Sequence, residues 1–235
     1  MKAAVKSLMP PGLYRAVVKR RYRLRPSPLD PWRRLSPVSP DSNSRGKSVD
    51  RAYIEAFLER ERQSVTGVVL EIGDDTYTKR FGVDVCRSDV LSDPRSGATS
   101  GIVGDLRKSD VLVPETYDCM IITQTLQFID VPLVALNNLY TALKPGGKLL
   151  LTVPGIAQRD TYDDGLWGDF YRWMPRGLSH LLSESAFSKY TVAGIGNVLS
   201  SVAFLHNMSV DDISPEELAH QDDEYPLIVT AVAQR

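Results

Sequence analysis

Carboxylates recur at the ends of apolar runs in this sequence, and their spacing suits recognition of an adenosine. VVLEIG, residues 68–73, closes on Glu71, an aliphatic residue and Gly73. Asp89 lies 16 residues beyond Gly73 and 18 beyond Glu71, close to the separation at which an acid ending a second strand accepts the two hydroxyls of a ribose. Asp84 is the rival for that role, but it stands earlier in its strand. Asp105 closes GIVGDL, where a carboxylate and the neighbouring amide can hydrogen-bond an adenine edge, and Gln124 stands where DCMIITQTL passes from strand to loop. Other chemistries are poorly supplied. The three histidines, His180, His206 and His220, are scattered without HxxxH or HExxH spacing, so no metal site is expected. Cys86 and Cys119 each fall in a run that reads as a buried strand, which suits thiols kept reduced in a cytoplasm.

Residues placed in this way need an open sheet that delivers them to one rim. Apolar runs at 68–73, 83–90, 101–106 and 118–126, then KLLLTVP, YTVAGIGNV and PLIVTAVA, supply seven strands. Leu133, Leu136, Tyr140 and Leu143 recur at helical spacing, and LKPGG stops that helix. The alternation predicts an α/β fold, a doubly wound Rossmann-like seven-stranded parallel sheet over residues 65–235. Such sheets bind ligands beyond the carboxyl ends of their strands, so Gly73, Asp89, Asp105 and Gln124 should converge there. Only nine residues separate Gly73 from Val83, so the helix after the first strand must be short.

Two segments precede this body. Residues 45–64 predict a helical extension that enters it: Ser48 is a plausible N-cap, Asp50 suits the helix dipole, and Val49, Tyr53 and Phe57, with Ile54 and Leu58, form an apolar stripe. Residues 1–44 read as a Pro-rich basic arm with one helix at about 12–23. Up to Ser36 there are ten Lys or Arg and one acid, against 18 basic and 28 acidic residues afterwards. The overall balance of 28 to 29 gives no global field that would mark a dedicated nucleic-acid binder, and none is expected as partner. The arm's helix reads as a solvated basic helix or, more sharply, as one that docks on an anionic membrane surface or a phosphate-bearing substrate, with nucleic acid as the lesser alternative. No apolar core of a secretory signal is present, and the uncharged run 190–210 is interrupted by Gly194, Gly196, Asn197, His206 and Asn207, so it reads as a strand and a short helix. A cytoplasmic protein with peripheral membrane contact is expected.

VLEIG, the acid at Asp89, GDL, DCMIITQTLQFI and LKPGGKLLLTVP together resemble the class I S-adenosylmethionine-dependent methyltransferases across residues 65–235. RGKSVDRAYIEAFLERE, YTKRFG, WGDFYRW and GNVLSSVAFLHNMS are similar to a narrower, type 11-like group associated with saccharide modification. The resemblance implies S-adenosyl-L-methionine as cofactor. It places Glu71 and Gly73 at the methionine end, Asp89 at the ribose, Asp105 with Leu106 at the adenine and Gln124 under the sulfonium. Arg51 and Tyr53 would close over the cofactor, with Thr76 and Tyr77 as lesser candidates. One departure stands out: the family's ExGxGxG turn is EIGDDTYTKRFG here. Losing those glycines restricts backbone approach, which weighs harder against a pyrophosphate-bearing NAD than against a methionine tail.

Beyond the fifth strand, DTYDDGLWGDFYRWMP offers Asp163, Asp164, Trp167, Asp169, Tyr171, Arg172 and Trp173. Acids, aromatics and an arginine suit a sugar, so Trp167, Tyr171 and Arg172 are the substrate-binding candidates and Asp169 the candidate base. His180 and His206 read as structural. The expected activity is methyl transfer to an oxygen, less readily a nitrogen, of a small-molecule or saccharide acceptor. The alternatives are an inactive methyltransferase-like binding module and an NAD(P) oxidoreductase.

Overall fold

Every apolar run of the body becomes a strand in the computed structural model, which describes residues 10, 34–41 and 44–235. The strands are β1 (Gly67–Ile72), β2 (Val85–Ser92), β3 (Ile102–Val103), β4 (Tyr117–Thr123), β5 (Leu143–Pro154), β6 (Lys189–Ile195) and β7 (Ile228–Gln234). They form one sheet in the order β3-β2-β1-β4-β5-β7-β6. β1 to β5 pair in parallel, whereas β7 runs antiparallel to both β5 and β6, so the sheet is mixed rather than wholly parallel. The order reverses between β1 and β4, and that is where a crevice must open.

The helices are α1 (Val49–Arg60), α2 (Thr76–Phe81), α3 (Pro132–Ala142), α4 (Thr161–Leu166), α5 (Pro175–Glu184), α6 (Val198–Leu205) and α7 (Pro215–Ala219). Alternation along the central strands divides them between two layers. Met120, Ile122, Leu149 and Leu151 face one way and pack with Leu136 and Leu139 of α3 and Leu178 and Leu182 of α5. Cys119, Ile121 and Leu150 face the other way, towards Ile54, Phe57 and Leu58 of α1, Phe81 of α2 and Ala203 of α6. Burial on both faces is why these strands read as unbroken apolar runs. Burying each such side chain contributes about 1.5–3 kcal/mol, so the packing fixes the layers firmly.

The entry helix forms as expected, with Val49, Tyr53, Ile54, Phe57 and Leu58 buried. Ser48 stands at its N-cap position but makes no side-chain cap; its hydroxyl donates to Asp50. The run from residue 190 resolves into β6 and α6, and no described helix is long and apolar enough to cross a membrane. Cys119 is buried, but Cys86 is exposed, contrary to its reading as a buried strand residue. β3 pairs only with Leu91 and Ser92, which leaves the first part of β2 with an uncovered outer edge.

The chain divides into two compact units, residues 1–36 and 37–235. In the first, Arg34 Nε donates to the carbonyl of Ser36 at 3.3 Å; the expected helix at 12–23 lies outside the described residues. Near the start of the second unit the amides of Val38 and Ser39 donate to the His206 carbonyl, at 3.0 and 3.3 Å, at the end of α6.

Candidate active site

The rim begins where β1 ends. Gly73 has φ +82°, its amide donates to the Leu91 carbonyl at 3.0 Å, and no atom lies within 4 Å of the place a Cβ would occupy. Its backbone is therefore open to a ligand. Glu71, only 3% exposed, points elsewhere: its carboxylate accepts from the Tyr77 amide (3.1 Å), the Thr78 amide (2.7 Å) and the Thr78 hydroxyl (2.8 Å). Burial pushes its pKa up, opposed by the three donors. Glu71 thus pins the first turn of α2 and does not hold a ligand through its side chain. The same bonds occupy the amides on which a pyrophosphate would otherwise sit.

Asp89 does not face the same crevice as Asp105; it borders an adjoining hollow with Gly73, Asp74 and Ser92. It lies within β2 opposite Leu70, within 3.2 Å of the Arg87 guanidinium. It also contacts the Tyr117 hydroxyl, whose pKa is pushed up to about 12 by burial and then by Asp89. β2 continues to Ser92, two residues beyond the expected end, and stops before Pro94, which has no amide to donate. The carboxylate this delivers to the crevice is Asp93. It accepts from the Arg95 amide (2.8 Å), Nε (2.9 Å) and Nη2 (2.8 Å), and the Arg95 side chain holds it below the usual carboxylate range. Asp105 repeats the device with the Arg107 amide and Nε, both at 2.9 Å, and is likewise held low. As expected, Asp105 and Leu106 face the crevice, and the Leu106 carbonyl is fixed by Asn138 at 2.8 Å. Asp84, the rival acid, stands exposed in the turn before β2 with φ +55°.

These residues surround a cavity of about 520 Å³ with apolar walls that include Ile72, Leu91, Leu106 and Phe128. Trp167 lines it as well, so this indole belongs to the first cavity rather than to an acceptor loop. Arg95 stacks over Trp167 at 5.2 Å and donates to the Leu166 carbonyl at 3.2 Å. Gln124 takes the left-handed conformation (φ +46°) and anchors its amide on the Thr152 carbonyl at 2.9 Å, leaving Nε2 buried without a partner. Flat apolar walls, two rim carboxylates and an open backbone suit an adenosine with a short polar tail.

A second chamber of about 320 Å³ adjoins the first and shares Gln124 and Phe128 with it. Arg51 lines it, with Nη1 donating to the Tyr77 hydroxyl at 2.9 Å. Tyr53 does not approach either cavity: its hydroxyl donates to the Leu218 carbonyl at 2.9 Å and its ring is core, because that helix face points to the sheet. Neither Thr76 nor Tyr77 lines the cavities, and Tyr171 is also absent from both. The Tyr171 hydroxyl donates to the Asp130 carbonyl at 2.8 Å and its ring packs at 5.2 Å from Trp173.

Asp169 and Arg172 do line the second chamber, but they are spent on each other. Arg172 Nη1 and Nη2 donate to the Asp169 carboxylate at 2.5 and 2.7 Å, and the Asp160 amide adds a third donor at 2.9 Å. Arg172 also donates to the carbonyls of Ala157, Gln158 and Tyr171. The guanidinium holds Asp169 below the usual carboxylate range, which makes it a poor base, so its expected role is corrected to that of a loop staple. Asp163, in α4, has the opposite environment. It accepts from Trp167 Nε1 at 3.0 Å, and its pKa is raised by burial, with Asp160 and Asp169 adding to the effect. Asp93 and Gln127 carry no reading in the sequence, and Asp163 stands there only as one of several acids offered by its segment; Pro94 is the available signal for Asp93. Among the described residues no group of three or more His, Cys, Asp or Glu side chains can hold a metal ion.

A family profile described as a methyltransferase domain matches residues 38–193. Among solved structures, the S-adenosylmethionine-dependent methyltransferase from Mesorhizobium loti aligns with TM-score 0.50 and 16% identity, over 80% of this chain and 98% of that one. A chain from the complex between the Haloferax volcanii Trm112 methyltransferase activator and the putative methyltransferase aligns with TM-score 0.52 and 14% identity, over 79% and 90%. No curated protein matches the sequence.

Proposed function

We propose, from the premise that the chain belongs to the class I S-adenosylmethionine-dependent methyltransferase family, that it moves a methyl group onto a hydroxyl oxygen of a small-molecule or saccharide acceptor. The observation that supports this reading is the junction of two unlike cavities, one walled by apolar side chains and one by charges, at Gln124 and Phe128.

When bound, S-adenosylmethionine supplies an electrophilic methyl group on a sulfonium. Gly73 offers backbone to its amino-acid end, Asp93 accepts from the ribose hydroxyls, and Asp105 with Leu106 borders the adenine. Gln124 lies between that site and the acceptor. Alignment and exclusion of water are the protein's main tasks in such a displacement. Trp167, drawn over the first cavity by Arg95, serves the second of them. A dinucleotide oxidoreductase is the weaker reading, since Glu71 already occupies the amides at the start of α2.

Titration calorimetry with S-adenosylhomocysteine, beside NAD, tests the cofactor assignment. Removing the charge-assisted contact with Asp93→Asn should weaken S-adenosylhomocysteine binding by about 1.5–3 kcal/mol, roughly ten-fold or more. Asp89→Asn should leave it within about two-fold. Equal effects of the two substitutions, or tighter binding of NAD, would refute the assignment.

A further inference from the structure

The second chamber has a composition that selects its occupant. Among the described residues Asp50, Asp163 and Asp169 line it against Arg51 and Arg172, besides Asp160, which has a partner of its own. Arg172 is committed to Asp169, and Arg51 directs one nitrogen to the Tyr77 hydroxyl. An anionic acceptor would therefore meet an excess of negative charge. Two amides point to a ligand independently of charge. Gln127 lines the chamber, is 5% exposed, and its Oε1 meets no donor; Gln124 Nε2, at the junction, meets no acceptor. A buried polar atom left this way costs about 1–3 kcal/mol unless a ligand supplies the partner. A hydroxyl both donates and accepts, so it can serve both amides; a carboxylate or phosphate cannot donate, and an ammonium cannot accept.

The position of the proton acceptor follows from the walls. Asp163 lines the second chamber while its hydrogen-bond partner Trp167 lines the first, so this pair stands across the boundary between them. We propose that the second chamber is the acceptor site, that it takes an uncharged polyhydroxylated acceptor, and that Asp163 receives the proton of the reacting hydroxyl. This rests on the methyltransferase reading above. The acceptor oxygen forms a bond to the methyl carbon as the carbon–sulfur bond breaks with its electron pair left on sulfur, and the hydroxyl proton passes to the Asp163 carboxylate. The raised pKa of Asp163 suits a proton acceptor better than the lowered one of Asp169. The charged groups around Asp163 are Asp160 and Asp169, with Asp50, Arg51 and Arg172 on the facing walls.

Saturation-transfer NMR on the full chain with S-adenosylhomocysteine present tests the occupant, using methyl glucoside, methyl galactoside and methyl mannoside as probes beside glucuronic acid and glucosamine. At least one neutral glycoside should receive saturation, and glucuronic acid should not. Signal confined to the charged sugars, or to none of the five, overturns the proposal. Calorimetry on the same sample separates the two readings: failure of S-adenosylhomocysteine itself to bind removes the premise and the proposal with it. With the glycoside that binds as acceptor, Asp163→Asn should keep binding of both molecules within about two-fold, lower kcat at least about 100-fold, and abolish the acid limb of the pH profile. An unchanged acid limb, or kcat within about two-fold of wild type, assigns the proton elsewhere and overturns it.

Discussion

Asp169 and Arg172 show how two side chains chosen for chemistry can be used for architecture. The Asp169 side chain is 1% exposed and Arg172 is 27% exposed, and the guanidinium also gathers carbonyls from residues 157, 158 and 171. Arg172→Ala leaves a buried carboxylate without its cation. The expected cost is about 2 kcal/mol at pH 7, below the 3–5 of a fully buried pair because Arg172 keeps part of its side chain in water. Asp169 ionises at lower pH in the folded state than in the unfolded chain, so its contribution is complete above the ordinary carboxylate range and is lost as pH falls through the folded value. Urea denaturation of wild type and variant should therefore show a stability gap at pH 7 that narrows towards pH 3. A gap that does not change with pH would mean the loss is one of packing. At the same scale, the choice between Asp89 and Asp93 turns on where β2 stops: Asp93 follows its last residue and carries the expectation for S-adenosylhomocysteine binding.

β2 also illustrates what an element's neighbours decide. Its first residues lack a partner on one side because β3 is two residues long, and Cys86 is exposed there while Cys119, in a strand paired on both sides, is buried. Burial pushes the Cys119 thiol up to about 12, which suppresses the reactive thiolate. A maleimide reagent should accordingly label one thiol in the native protein and both in urea; rapid native labelling of both would contradict the packing of β4. The short α2 makes the related point that a helix of six residues needs help. Its N-cap residue Asp75 makes no side-chain cap, and Glu71 from the preceding strand satisfies two of its amides instead. The glycine-poor first turn is thereby held from beneath by the strand that precedes it.

Across the whole molecule, charge is divided between a basic arm and an acidic body, with ten Lys or Arg and one acid up to Ser36. The arm is expected to tether the chain to anionic surfaces, each basic residue near such a surface contributing about 1 kcal/mol. Co-sedimentation with phosphatidylserine vesicles should be strong for the full chain and lost on deleting residues 1–44, while S-adenosylhomocysteine binding is retained. Vesicle binding that survives the deletion would refute the tether. The doubly wound body was legible in the sequence because a strand buried on both faces must be apolar throughout, as LLLTV is, and because Pro145 and the glycines after it can only end a helix. Asp105, Leu106, Gly73 and Gln124 were legible for the same reason, each standing at the end of such a run. Which carboxylate reaches the crevice was not, since apolar character marks a strand without marking its last residue, and a two-residue change in where β2 ends exchanges Asp89 for Asp93. The roles within residues 160–173 were likewise open to tertiary structure alone. Four acids and an arginine in one segment are equivalent in composition, and only their folded distances commit Arg172 to Asp169 and leave Asp163 to Trp167.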